Sequence, residues 1–181
     1  MIKNLVAFGC SWTYGSELAD PLTQSYPALI AEHFGWDVEV QAEPNATLSQ
    51  MLVAFTSWLT SHSPEEISET MLLVGLTDEH RGAPTSDDKW AEANYETSVR
   101  AFDHFATQFD AHVIQFNVIT QNHKIKLPTL IDSSSALEML VIRDKPRKDP
   151  LFAEHKHPNE KGQIIISEFL INKINSAIIN E

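Results

Sequence analysis

Leu5-Val6-Ala7-Phe8-Gly9-Cys10-Ser11-Trp12-Thr13-Tyr14-Gly15 is the stretch that decides how this chain folds. Four consecutive apolar residues with no polar alternation predict a strand covered on both faces, because a strand with one wet face alternates. Strands of that kind belong to parallel sheets that carry helices on either side. Working outward, further strands are predicted at Val38 to Gln41, Met71 to Leu76 and Val113 to Ile119, with helical patterns between them at about Tyr26 to Phe34, Leu48 to Ser61 and Asp88 to Phe109. Strand alternating with helix gives an α/β class, with residues 5–8 as the first and central strand. The last segment repeats Ile166, Leu170, Ile174 and Ile178, widened by Ile165 and Phe169, which predicts a C-terminal helix packed on the sheet.

The stretch from Thr120 to Pro150 breaks this regularity. It carries Lys124, Lys126, Lys145, Arg147 and Lys148 together with Pro128, Pro146 and Pro150, and little period beyond a short element at Leu137 to Ile142. It reads as a long basic excursion, and loops of that length are commonly functional. No repeat or linker divides the chain, so residues 1–181 are expected to form a single domain with a long loop or insertion at about 120–150.

Composition excludes several classes. Apolar residues make up 43% and charged residues 21%, enough for a folded core and unlike a disordered chain. Thirteen basic against 25 acidic side chains give a net charge of −12, which repels phosphate backbones and anionic membranes, so neither nucleic acid nor membrane is an expected partner. The single cysteine, Cys10, excludes an internal disulfide and a multi-cysteine zinc cluster. The residues after Met1 lack a signal-peptide core and cleavage site, and no run approaches the roughly 18 apolar residues of a membrane span. A soluble protein, cytoplasmic or associated with a larger particle, is expected.

Chemistry concentrates at two places. In open α/β sheets, ligands bind at the carboxyl ends of the strands. Ser11 follows the first strand there, between Gly9 and Gly15, where backbone amides can gather around a developing oxyanion. A serine in such a turn also serves as a turn or cap residue. The second place is Glu154-His155-Lys156-His157-Pro158-Asn159-Glu160-Lys161-Gly162, just before the last helix. A neutral imidazole takes a serine proton at neutral pH, and a nearby carboxylate fixes its tautomer. The competing reading is a solvated loop with Asn159 as the helix cap.

Taken together, the two ends resemble the SGNH (GDSL-like) hydrolases, whose first block is Gly-x-Ser-x-x-x-Gly and whose last is Asp-x-x-His before the final helix. Gly9, Ser11 and Gly15 match the first block; His157 matches the last, with Glu154 in place of the aspartate, and His157-Pro158-Asn159-Glu160-Lys161-Gly162 resembles the family's His-Pro-Asn-x-x-Gly ending. The resemblance implies a flavodoxin-like three-layer α/β/α sandwich around a mostly parallel sheet of about five strands. It also implies an esterase or acetylesterase working through an acyl-enzyme, with Ser11 as nucleophile, His157 as base and Glu154 as the residue orienting it. A small ester or acylated carbohydrate is then the expected substrate, and no cofactor is called for.

The middle blocks depart from the family. Asn45, within Ala42-Glu43-Pro44-Asn45-Ala46-Thr47, stands where the family has an oxyanion glycine, and asparagine accepts left-handed backbone better than most residues. Gly75-Leu76-Thr77-Asp78 resembles Gly-x-Asn-Asp with Thr77 in place of the asparagine, and a hydroxyl reaches less far than a carboxamide. Ser11, Asn45 and Thr77 are thus the implied oxyanion donors. Trp12, Tyr14, Asp78 and Arg81 are candidate substrate contacts, Arg81 also being placed to pair with a neighbouring carboxylate. The Thr77 replacement equally suits a catalytically weakened module that keeps the fold to bind a protein partner in a larger assembly.

A zinc site built on His155, His157, Glu154 and His80 is disfavoured, because alternating residues of an extended segment point to opposite sides, so no metal is expected. A nucleotide-phosphate loop at residues 9–15 is set aside, since neither Gly-x-Gly-x-x-Gly nor a lysine-bearing loop is present.

Overall fold

The computed structural model describes residues 1–78, 81, 88–118, 125–131, 151–153 and 157–179. Strand β1 (Asn4–Gly9) is followed by the short helices α1 (Ser11–Tyr14) and α2 (Pro21–Gln24), then α3 (Tyr26–Phe34) and β2 (Asp37–Ala42). Helices α4 (Leu48–Ser61) and α5 (Pro64–Ser68) lead to β3 (Thr70–Leu76), α6 (Asp88–Gln108) and β4 (His112–Asn117), and α7 (Glu160–Ile179) is the last described element.

The strands hydrogen-bond in the order β2-β1-β3-β4 and every pairing is parallel. Residues Leu5 to Phe8 are buried and β1 is central, as the unbroken apolar run predicts. β3 is buried along its whole length. By contrast β2 exposes Asp37, Glu39 and Gln41, the polar side chains that keep an edge strand from pairing further. Beyond β4 the described residues supply a single parallel bridge, Gln115 to Leu130. The Gln115 amide donates to the Thr129 carbonyl at 2.7 Å, and its side-chain Nε2 donates to Thr129 Oγ1 at 2.7 Å. Among the described residues the expected sheet of about five strands is therefore four strands plus one bridge in the fifth position. The remainder of the 120–150 excursion, including Leu137 to Ile142, lies outside the described residues.

Helices cover both faces. Phe55 of α4 meets Phe8 and also Phe102 of α6, edge to face at 5.3 and 5.1 Å between centroids, which closes one side of the sheet. In α6 the buried residues Ala91, Tyr95, Val99, Phe102 and Ala106 recur every three or four positions, one helical stripe. On the opposite side α3 packs against α7, whose Ile166, Leu170 and Ile174 are buried as their spacing predicts. Three layers result.

Because β1 leads to β2 on one side and the chain then crosses to β3 on the other, strand order reverses between β1 and β3. The crevice at the carboxyl ends of those two strands is where such sheets bind ligands. Its floor is tightly packed. Thr13, fully buried, lies so close to both strands that a Cβ on Gly9 would sit 1.9 Å, and one on Gly75 2.8 Å, from its Oγ1. Glycine is required at both strand ends for this approach. Tyr26 donates its hydroxyl to Thr13 Oγ1 at 2.6 Å, and burial pushes the Tyr26 pKa up, so the phenol stays a neutral donor.

Candidate active site

Ser11 is the first residue of α1, directly beyond the carboxyl end of β1, and is buried. The turn that follows closes on it: the amides of Gly15 and Ser16 both donate to the Ser11 carbonyl, at 3.1 and 2.9 Å, while Gly15 takes the left-handed conformation with φ +81°. Leu18 N then donates to the Gly15 carbonyl at 3.1 Å. Glu17 follows within the same turn, itself at φ +71°. A non-glycine residue held there costs on the order of 1–3 kcal/mol, which the surrounding structure must offset.

His157 reaches the same corner from the other end of the chain. Residues 151–153 and 157–159 form a small antiparallel pair, with Ala153 N donating to the His157 carbonyl at 2.8 Å, Asn159 N to the Leu151 carbonyl at 3.0 Å, and a bridge between Phe152 and Pro158. Asn159 caps α7, its Oδ1 accepting from Gly162 N at 3.1 Å, as a polar residue before a helix predicts. Gln163, fully buried, ties this helix start to the turn after β1: its Nε2 donates to the Trp12 carbonyl at 3.2 Å, and its Oε1 accepts from Tyr26 N at 2.9 Å. Phe152 and Trp12 pack with centroids 6.0 Å apart.

Among the described residues the imidazole of His157 meets Glu17: its Nδ1 lies 2.6 Å from Glu17 Oε2. With Nδ1 protonated toward that carboxylate, Nε2 is the nitrogen left to accept a proton. Among the described residues no hydrogen bond joins Ser11 Oγ to this ring, and bonds of that kind commonly tighten only around substrate. Glu154, along with His155 and His80 of the zinc alternative, lies outside the described residues.

The remaining candidates are placed unequally. Asn45 adopts φ +65°, the left-handed conformation its residue type suggested, in an exposed turn tied to β1 by Glu43 N donating to the Gly9 carbonyl at 3.3 Å. A cavity of about 290 Å³ opens between Gly9 and this turn, lined also by Gln41, Ala46 and Gln50. Thr77 follows β3 and is fully enclosed. Asp78 is half-buried, its carbonyl accepting from Arg81 N at 3.2 Å. Arg81 Nη1 is buried and makes no hydrogen bond among the described residues. Trp12 is part of the core, while Tyr14 is 45% exposed. A larger cavity, about 650 Å³, lies at the opposite end of the sheet among Ile2, Lys3, Phe34, Trp36 and Asp37, away from all of these groups. Its size does not make it the site, since its lining places no serine, threonine or cysteine beside its histidine, His112.

Sequence reading missed Glu17, Gln163, Thr13 and Tyr26. Thr13 lies within the block of residues 9–15 and Tyr26 at the start of a predicted helix, neither with a polar pattern to flag it. Glu17 and Gln163 gain meaning only from residues 140 and 151 positions away.

No protein-family model matches the chain, and no curated protein matches it. Solved structures do. The chain is similar to the psychrotrophic esterase EstA from a Pseudoalteromonas species, with TM-score 0.66 and 12% identity over 97% of this chain and 98% of that one. It is similar to a member of the lipolytic G-D-S-L family from Veillonella parvula, with TM-score 0.60 and 14% identity over 92% and 94%. A family two carbohydrate esterase from Clostridium thermocellum, in complex with cellohexaose, matches with TM-score 0.57 and 14% identity over 97% of this chain and 64% of that one. Likeness at such identities speaks for the backbone arrangement, and by it the chain has the fold of the SGNH hydrolases.

Proposed function

We propose that this protein is a serine ester hydrolase. Ser11 Oγ attacks the ester carbonyl while its proton passes to His157 Nε2; the tetrahedral adduct collapses, and the departing alkoxide takes that proton. Water then attacks the acyl-serine with the same help and restores Ser11. The amides of Ser11 and Asn45 and the hydroxyl of Thr77 are assigned to the oxyanion, with Trp12, Tyr14, Asp78 and Arg81 as candidate substrate contacts. The observation that carries this reading is the pairing of His157 with Glu17 on the turn that opens with Ser11, at the carboxyl edge between β1 and β3. Small acyl esters, including those on carbohydrate, are the substrates we favour, in keeping with the carbohydrate esterase among the similar structures.

A second reading, a binding or assembly module on the same fold, is favoured by Thr77 standing in the place of the oxyanion asparagine. Losing one such donor costs about 10² to 10³ in turnover, small beside the 10⁶ or more that enzymes supply, so the replacement weakens catalysis without removing it. A fluorophosphonate probe decides between the two. Labelling that disappears in Ser11→Ala, together with hydrolysis of p-nitrophenyl acetate, is expected; a folded chain that neither labels nor hydrolyses would count heavily against the enzyme reading.

A further inference from the structure

We propose that Glu17 is the positioning residue for His157, so that nucleophile and orienting acid come from one turn after β1 while the base comes from the far end of the chain. The assignment rests on the esterase reading for its consequence in turnover, though not for its geometry.

The contact joins Nδ1 to a carboxylate oxygen at 2.6 Å, just below the roughly 2.7–2.9 Å of charge-assisted N–H···O hydrogen bonds. The His157 and Glu17 side chains are only 24% and 20% exposed, which limits the competition from water. Glu17 is held at φ +71° although it is not glycine, by a turn anchored on the Ser11 carbonyl and continued by the bond from Leu18 N to Gly15. Backbone in that region persists where surrounding contacts hold it, and such outliers gather at functional sites. The sequence-adjacent alternative, Glu154, would orient the ring from its own loop; Glu17 does so from the turn that carries Ser11, which couples the placement of base and nucleophile. The other described charged groups on these elements are Asp20, engaged in capping α2, and the exposed Glu160, Lys161, Glu168 and Lys173 of α7.

The test uses the full chain labelled with ¹⁵N-histidine. In the native protein the His157 ring should show a single tautomer protonated at Nδ1, with a low-field Nδ1 proton. Glu17→Ala should lose that signature and lower kcat about 10²-fold with KM nearly unchanged, a smaller loss than the about 10⁴-fold seen when a fully buried triad acid is replaced. Glu154→Ala should keep the signature. Loss of the signature in Glu154→Ala with its retention in Glu17→Ala overturns the proposal, as does a folded Glu17→Ala protein with native tautomer and native kcat. The readouts separate the two claims. A chain that hydrolyses no ester still reports the tautomer, whereas labelling of Ser11 with an unaffected Glu17→Ala protein leaves the esterase reading standing and removes Glu17 from it.

Discussion

Two turns leave the sheet side by side at its carboxyl edge, one after β1 and one after β2, and each holds a non-glycine residue in the left-handed conformation. After β2 the residue is Asn45 at φ +65°, a side chain that accepts this backbone cheaply, in an exposed turn. After β1 it is Glu17 at φ +71°, a residue with no such tolerance, whose carboxylate is directed onto His157. Where residue type already suits the backbone, nothing further need be explained. Where it does not, the bonds of the turn hold the strain, and the contact that the side chain makes points to a role.

The largest effect expected on the β1 side is from its partner. His157→Ala should lower esterase turnover by about 10⁴-fold or more, measured with a chromogenic acetate ester, because Ser11 would lose its proton acceptor. Normal turnover in that variant would mean that the base is misassigned and would detach the β1 turn from catalysis. Glu17→Gly goes to the centre of the comparison: it relieves the backbone and removes the carboxylate together. Thermal unfolding should be unchanged or slightly higher while kcat drops by roughly 10²-fold. A marked drop in Tm would show that Glu17 is held for stability instead. The smallest effect belongs to the β2 turn, where Asn45→Ala should cost about 1 kcal/mol in urea unfolding and Asn45→Gly close to none. Equal losses from both would show that the Asn45 side chain matters more than its backbone angle.

Much of the framework was legible in the chain. The bounds read for α3 and α4 coincide with those observed, and β1 extends its predicted run by one residue at each end. α7 begins at Glu160, earlier than its apolar stripe, since the first turn is set by the Asn159 cap and not by hydrophobic spacing. The short helices α1, α2 and α5 escaped notice because four or five residues cannot display a 3.6-residue period. Two of them did carry a local signal: Asp20-Pro21 is a cap followed by proline, and Ser63 with Glu66 forms a capping box whose two hydrogen bonds are present. The same bonding of Ser63 to Glu66 holds that carboxyl below the usual range.

What the sequence determined by itself was everything governed by neighbours along the chain: the apolar run of β1, the stripes of α6 and α7, the block from Gly9 to Gly15, and the ending around His157. What only the tertiary structure decided is which groups meet. Ser11 and Glu17 are joined by one turn, but His157 reaches Glu17 across 140 residues, through the packing of α7 on α3 and the bonds of Gln163 to Trp12 and Tyr26. A hydrogen bond is fixed by position and direction in space, and spacing along a chain encodes neither once the partners lie on different elements.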